Sequence, residues 1–470
     1  MAARDSSPRR VAVIGGGISG LTAAFRLSRA GAAVTVIEAA SRCGGPMGTV
    51  VKGGHLFELG PTTVPSSAER LGRLIDDLGI RSEAVLSRDV AGRRLVWRRG
   101  RLHALPEKPP QLLTCTAISP LARLRLLMEP LIPARRGGEP ETLQEFGRRR
   151  LGRGAVAGFL DPFITGVYAG RLDRLGVDAV PRLAIFEREY GSLAKARIAA
   201  QKARRAAETG ARKGPPPLVS FPGGLGTLPR RLTEALAGDV VTGRRVSALE
   251  RTASGWRVVC ASGDGPAAFE VEAAVLAVPA DVAARLLGTE LGQEERDFLS
   301  TLDHPFVATV GLGYRRDQIA HDLNAFGVLI ASDSRLDPEA DVLGVLFPSS
   351  IFDGRAPEGG VTLTVMVGGS RDPRARELDD TSLVARATAA VSELLGAQGA
   401  PVAHHVERWP RAIPQYAPGH GARVRALRLG VAALGGVALA GNYLDGIGVE
   451  GAVTSGDAAA RAIFGEETHG

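Results

Sequence analysis

Apolar residues open the chain as a run, Val11-Ala12-Val13-Ile14, pass through a glycine turn into a helical pattern from Ile18, and return as a run from Ala33 to Ile37. This order predicts strand, turn, helix and strand. Ser66-Ser67-Ala68-Glu69 predicts a capping box that opens an amphipathic helix with Leu71, Leu74, Ile75 and Leu78 on one face, stopped by Gly79. From about Leu112 to Ala211 the pattern is helical, with strand signals scarce and prolines at 120, 130, 133, 162 and 181. Within it, Leu112 to Ile132 mixes Leu, Ile and Met with Arg123 and Arg125, which suits a monotopic membrane patch and a plain amphipathic helix pair equally. Gly191 to Pro217 predicts an exposed helix running into the stiff loop Gly214-Pro215-Pro216-Pro217.

Beyond that loop the strand signals return. Phe221-Pro222-Gly223-Gly224-Leu225 precedes a helix with Leu228, Leu232 and Leu236, and strands are predicted at Val240-Val241, Val246 to Leu249, Trp256 to Cys260 and Ala274 to Val278. Four further β-rich runs, Phe306 to Tyr314, Phe326 to Ala331, Val342 to Phe347 and Val361 to Val367, are followed by a helix and predict a separate sheet. The fold class is therefore mixed α/β: a Rossmann-like domain interleaved with a β-sheet substrate domain and a helical insertion. The expected divisions are 1–85, 218–300 and 405–470 for the nucleotide-binding domain, 86–110 and 301–404 for the substrate domain, and 111–217 for the insertion.

Composition supports a globular chain of two or three domains: 470 residues exceed a single core, and 44% are hydrophobic. Three scattered cysteines, Cys43, Cys115 and Cys260, make neither a disulfide framework nor a zinc site, which favours a reducing, cytoplasmic setting. The N-terminus carries Arg4, Arg9 and Arg10 without an apolar signal core, and no stretch reaches the roughly 20 apolar residues of a membrane span. The net charge of +8 would ordinarily raise nucleic acid or anionic lipid as partners. Only five of the 58 basic residues are lysines, however, and the runs Arg93-Arg94, Arg98-Arg99, Arg148-Arg149-Arg150 and Arg204-Arg205 sit in no nucleic-acid motif. Most of them are expected on solvated faces, and no nucleic-acid partner is expected.

The candidate chemistry begins at Gly15-Gly16-Gly17-Ile18-Ser19-Gly20, a G-x-G-x-x-G placed between a strand and a helix. Gly15 permits the turn, Gly17 lets the backbone approach a pyrophosphate, and Gly20 lets the helix pack on the strand; the helix N-terminus offers N–H groups to the phosphates. Glu38, at the end of the second strand, suits a ribose hydroxyl and would repel a 2′-phosphate, leaving FAD or NAD. Arg42-Cys43-Gly44-Gly45 follows, in which Arg42 suits phosphate charge and the glycines allow main chain to lie against a flat ring. Near the C-terminus, Val437 to Tyr443 delivers the glycine-rich turn Gly446-Ile447-Gly448-Val449 to an alanine-rich helix. That second helix N-terminus suits the end of a flavin where reduction builds negative charge.

Several of these segments carry a resemblance. Glu38-x(3)-Arg42-x-Gly44-Gly45 and Glu58-x-Gly60-Pro61 resemble the FAD-dependent amine oxidase superfamily. With Arg408-Trp409-Pro410-x-x-Ile413-Pro414-Gln415-Tyr416-x-x-Gly419-His420 and Gly441-Asn442-Tyr443, the chain from Val11 to about Ile463 resembles the oxygen-dependent protoporphyrinogen oxidase family. The tryptophan-to-histidine string discriminates best, because the wider superfamily lacks it. Phe146 to Gly152, Gly166 to Gly170 and Phe326-Gly327-x-Leu329 are further family-like pieces. Cys43, Pro46 and Thr62-Thr63 depart from the family pattern, which bears on flavin tuning and substrate fit.

The resemblance implies FAD held by Gly15, Gly17, Ile18, Ser19, Gly20, Glu38, Arg42, Gly44, Gly45, Gly60, Pro61, Thr62, Val246, Trp409, Gly441, Asn442, Gly448 and Val449. It also implies Arg94 pairing a substrate propionate, Phe326 and Leu329 walling a pyrrole ring, and the Gly166 carbonyl facing the macrocycle. The implied reaction converts protoporphyrinogen IX to protoporphyrin IX: hydride leaves a bridging methylene for flavin N5, a pyrrole N–H loses its proton, and O2 reoxidises the flavin to give peroxide. Six electrons leave over repeated rounds, and no side chain is assigned as catalytic. Coproporphyrinogen III oxidation, an amine oxidase or desaturase activity, and a flavin-free carrier on the same scaffold are the alternatives. Peripheral attachment to the inner face of the cell membrane, and a monomeric or homodimeric state, stay open.

Overall fold

The fold was obtained as a computed structural model, which describes residues 9–135, 137–207, 216–236, 238–261, 268–334, 336 and 340–465. A five-stranded parallel sheet runs in the order Val240–Val241, Ala33–Ile37, Arg10–Ile14, Ala273–Leu276, Val437–Leu439. The strand Arg10–Ile14 is central, flanked on one side by the strand that follows it and on the other by one reached more than 250 residues later. Strand order reverses there, which puts a crevice beyond its carboxyl end, where Gly15 begins. These strands are apolar on both faces because helices cover one and the three-stranded sheet Val246–Thr252, Gly255–Cys260, Ala268–Val271 lies on the other; the Ile18–Arg29 and Val449–Phe464 helices press together at Gly456, where a Cβ would lie 2.4 Å from the Ser19 carbonyl oxygen.

A seven-stranded sheet runs Ala403–Trp409, Val307–Arg315, Gly360–Gly368, Gly344–Leu346, Gly327–Ile330, Leu95–Arg98, Arg101–Ala104. The boundary expected at 405 falls inside its edge strand, so the chain leaves this sheet only after Trp409. Its Val307–Arg315 strand is buried on both faces. The Asp380–Leu395 helix covers one, and the His55–Glu58 strand lies against Gly311 and Gly313, where Cβ atoms would clash with Phe57 and His55 at 2.3 and 2.7 Å. The glycines thus let the E-x-G-P segment cross directly over the substrate sheet.

Between Ala104 and Leu218 the described residues form helices, among them Pro120–Leu127, Leu143–Arg150, Asp161–Tyr168, Pro181–Tyr190 and Leu193–Ala207. Gly214 and Pro215 of the anticipated stiff loop lie outside the described residues. Two expectations are corrected. Ala68, not a serine, caps the Glu69–Asp77 helix, and no side chain of the expected box serves it; the Glu450 carboxylate accepts the Arg70 and Leu71 N–H groups, both at 2.9 Å. A long-range carboxylate satisfies the orphan donors that the local box would have taken.

The arginine runs are not all solvated. Arg150 is fully buried, paired with buried Glu129 and donating to the Ile132 and Gly191 carbonyls at 2.7 and 2.9 Å, while Arg149 bridges Glu141 and Glu187. Glu129 in turn accepts from the Ser192 hydroxyl and the Leu193 and Ala194 N–H groups at the start of the next helix. Arg98 is likewise buried, against Asp333 and the Ala117 carbonyl. Beside the insertion's apolar cluster of Leu143, Phe146, Ile164 and Leu175, Arg98 and Arg150 are buried because each is paired.

Candidate functional site

The glycine turn takes the shape its residues dictate. Gly15 has φ +106°, and a Cβ there would lie 2.3 Å from the Ala277 carbonyl oxygen; one on Gly20 would lie 2.0 Å from the Gly15 carbonyl oxygen. Both are backbone-on-backbone approaches that only glycine allows. Gly17 differs, because a Cβ there would meet no atom within 4 Å. It caps the Ile18–Arg29 helix with no side-chain bond, so the first N–H groups of that helix stay free for a ligand.

The second glycine pair is stitched to the first. The Gly44 N–H donates to the Gly16 carbonyl at 2.7 Å, Gly17 and Gly44 form an isolated parallel bridge, and a Cβ on Gly45 would lie 3.6 Å from the Gly17 Cα. Glu38 accepts the Gly16 N–H at 2.6 Å and the Ala40 N–H at 2.7 Å, which fixes its carboxylate at the end of the second strand. Val246 is buried at the start of the Val246–Thr252 strand, and two residues before it the Arg244 N–H donates to the Glu38 carbonyl at 2.8 Å. Arg42 is exposed, donates to the Cys43 carbonyl at 3.3 Å, and lines a cleft of about 550 Å³ together with Thr49, Thr227 and Arg230.

Gly448 repeats the Gly17 arrangement: it caps the Val449–Phe464 helix without a side-chain bond, and a Cβ there would meet nothing within 4 Å. The turn leading to it is held where the Gly441 N–H donates to Ser455 Oγ at 2.8 Å and where Asn442 offers its carbonyl to the Tyr416 hydroxyl. Two uncapped helix N-termini, each with room where a Cβ would stand, and a glycine pair against the first of them form a cradle that fits a diphosphate and a flat ring system.

Gly60, Pro61 and Thr62 follow the His55–Glu58 strand, and Gly60 is pressed on the Pro46 carbonyl oxygen, where a Cβ would lie 2.7 Å away. The Trp409 indole N–H donates to the Leu59 carbonyl at 2.8 Å, tying the edge of the substrate sheet to this segment. Glu58 entered the sequence reading as part of a motif, with no role of its own. Its buried carboxylate accepts from the Thr49 hydroxyl at 2.7 Å and the Leu225 N–H at 2.8 Å, and burial pushes its pKa up to about 7. Arg355, also buried, lies within electrostatic reach and donates to the Phe221 and Pro222 carbonyls at 2.8 and 3.1 Å.

The four residues assigned to substrate gather as two pairs. The Arg94 guanidinium stands over the Phe326 ring at 5.0 Å and is half-buried, which lowers its pKa. The Phe326 N–H donates to the Arg93 carbonyl at 2.7 Å. Gly166 packs on Leu329, where a Cβ would lie 2.4 Å from Leu329 Cδ2. Leu329 faces the insertion while its neighbours Val328 and Ile330 face the sheet's core, so the strand presents one apolar side chain to the helix Asp161–Tyr168. A cation beside an aromatic face at one end and aliphatic surface at the other suit a flat, apolar molecule bearing carboxylates.

The profile of the flavin containing amine oxidoreductase family matches residues 18–464. Protoporphyrinogen oxidase 2, chloroplastic/mitochondrial, of Arabidopsis thaliana is 28% identical over 480 residues, covering 97% of this chain and 94% of its own length. Coproporphyrinogen III oxidase of Propionibacterium freudenreichii is 31% identical over 487 residues, covering 95% and 89%. Among solved structures, a protein of Exiguobacterium provisionally assigned as a protoporphyrinogen oxidase superposes with a TM-score of 0.81 at 24% identity, covering 98% of this chain and 99% of that one.

Proposed function

From the premise that this chain belongs to the flavin containing amine oxidoreductases, we propose that it oxidises protoporphyrinogen IX to protoporphyrin IX, with O2 as the final acceptor. It is an FAD-dependent oxidoreductase. When bound, FAD supplies the hydride acceptor and the route by which electrons leave for oxygen. The chain's own residues bind and orient: the Gly17 and Gly448 helix N-termini and the Gly44-Gly45 pair hold the cofactor, Arg94 takes a propionate, and Phe326, Leu329 and Gly166 shape apolar surface for the tetrapyrrole. The observation that carries the reading is Arg94 over Phe326, a cation against an aromatic wall at the rim of the substrate sheet.

Coproporphyrinogen III is a second reading with its own support. A coproporphyrinogen III oxidase is 31% identical, and Arg93 stands beside Arg94 at the same rim, in a small cavity of about 270 Å³ with His321 and Asn324. Aerobic turnover of each porphyrinogen by flavin-loaded protein, followed by porphyrin fluorescence and peroxide above the spontaneous rate, separates the two. Faster turnover of the dicarboxylate supports the first reading, and faster turnover of the tetracarboxylate replaces it with the second.

Attachment to a bilayer surface belongs to the same proposal. In the Pro120–Leu127 helix no residue is buried; Ala122 packs on Gly154, where an added Cβ would lie 2.4 Å from its own, and the arginines on the two flanks are held by backbone: Arg125 donates to the Arg149 and Arg150 carbonyls at 2.7 and 3.2 Å, and Arg123 to the Leu113 carbonyl. Leu121, Leu124 and Leu127 point outward at 76, 57 and 52% exposure, joined by Leu113, Met128 and Leu131. An exposed apolar face flanked by arginines suits a peripheral contact with lipid. No helix among the described residues is long and apolar enough to cross a membrane.

A further inference from the structure

A buried hydroxyl or imidazole costs free energy unless partnered, so the partners of Tyr416 and His420, 4% and 2% exposed, define what the two residues do. The Tyr416 hydroxyl donates to the Asn442 carbonyl and accepts the Gly446 N–H at 3.1 Å. One oxygen thus spans the turn between the Val437–Leu439 strand and the Val449–Phe464 helix. His420 stacks on the phenol ring, centroids 3.8 Å apart and planes 8° from parallel, with Phe298 edge-on at 5.3 Å. Its Nε2 lies 2.9 Å from the Tyr443 carbonyl oxygen. A carbonyl only accepts, so the proton sits on Nε2; burial pushes the pKa down to about 4 and keeps the ring neutral.

The same stretch reaches the other way. Gln415 donates through Nε2 to the Tyr168 carbonyl at 2.9 Å, at the end of the helix that carries Gly166, and the Gly176 N–H donates to the Tyr416 carbonyl at 2.7 Å. Past Asn442, the turn closes where Gly446, at φ +122°, lies under Gly451, whose added Cβ would stand 2.4 Å from the Gly446 carbonyl oxygen. The helix N-terminus at Gly448 begins two residues beyond.

We infer that Tyr416 and His420 are positioning residues of the flavin site: together they fix the Asn442 to Gly446 turn and so aim the Gly448–Val449 helix N-terminus at the pyrimidine end of FAD, where two-electron reduction places negative charge. Loosening that turn moves the N–H groups away from the charge they stabilise and makes the bound flavin harder to reduce. The inference rests on FAD binding and not on which porphyrinogen is the substrate.

The test compares midpoint potentials of flavin-loaded full-length protein by dye-equilibrated reduction with no porphyrinogen present, so failure of the substrate assignment leaves the result untouched. Tyr416→Phe keeps the stacked ring and removes the bridging oxygen. Its equilibrium constant for two-electron reduction should fall about three- to tenfold. Tyr168→Phe is the control for stability alone: it loses a comparable buried bond, to the Ala179 carbonyl at 2.8 Å, and should lower Tm while leaving the potential in place. His420→Gln, which retains an N–H for the Tyr443 carbonyl but no stacking ring, is read the same way if Tyr416→Phe does not fold. Folded Tyr416→Phe that releases FAD more than about tenfold more readily also supports the inference. A wild-type potential together with wild-type FAD affinity, or an equal shift in Tyr168→Phe, overturns it.

Discussion

At the scale of single residues, two glycines of one turn separate folding from cofactor binding. Gly20→Ala drives a Cβ onto the Gly15 carbonyl and should cost about 2–4 kcal/mol of stability. Gly17→Ala meets only open space at φ −69°, so the protein should unfold at the wild-type temperature without FAD, yet bind FAD about 10- to 100-fold more weakly. Thermal unfolding and FAD titration of both variants check this, and equal stability losses would contradict it. Both roles were readable from spacing, because the strand and helix around the motif fix what each glycine must do. Glu58 was not, since its partners Thr49 and Leu225 meet it only in the folded chain. Its raised pKa has a sign: the folded protein keeps a proton that the unfolded chain releases, so the stability this contributes is full below about pH 4.3 and lost as pH climbs through about 7. Glu58→Gln keeps a neutral group and should gain on the order of 2 kcal/mol over wild type by pH 8, with no gain at pH 4. Parallel pH–Tm curves for the two proteins would contradict this.

Among elements, the helix Pro120–Leu127 shows where periodicity stops being informative. Leu121, Leu124 and Leu127 repeat at helical spacing, which normally marks a core face, but here they stay exposed while Ala122 packs on Gly154 and Arg123 and Arg125 bond backbone carbonyls from the two flanks. The sequence could state both outcomes without choosing, since hydrophobic spacing is the same whichever face is covered. Replacing the three leucines by serine should leave Tm nearly unchanged and abolish sedimentation with anionic lipid vesicles. Vesicle binding that survives, or a Tm fall of several degrees, would show the leucines to be internal after all. The Glu69–Asp77 helix teaches the reverse lesson: its apolar face was legible, and its cap was not, because the capping carboxylate comes from Glu450.

For the whole molecule, the order of segments along the chain made the interleaving legible: apolar runs recur in three stretches, and the first and last carry the nucleotide-facing glycines. What stayed hidden is how the parts join. The segment from Trp409 to His420, read as a family signature, proves to be the joint itself, with Trp409 on Leu59, Gln415 on Tyr168 and Tyr416 on the Asn442 turn. The ion-pair core around Arg150 was invisible for the same reason, a buried arginine and a solvated one having one letter between them. Such joints would hold a carboxylated, apolar macrocycle and a flavin in one register, and that is the central claim. Its most direct test is to mix the flavin-loaded protein with protoporphyrinogen IX in the absence of oxygen and follow the visible flavin absorbance. The account predicts bleaching, followed on admission of air by recovery of the colour and appearance of peroxide; an absorbance unmoved by protoporphyrinogen IX and by coproporphyrinogen III, but bleached by a primary amine, would contradict it.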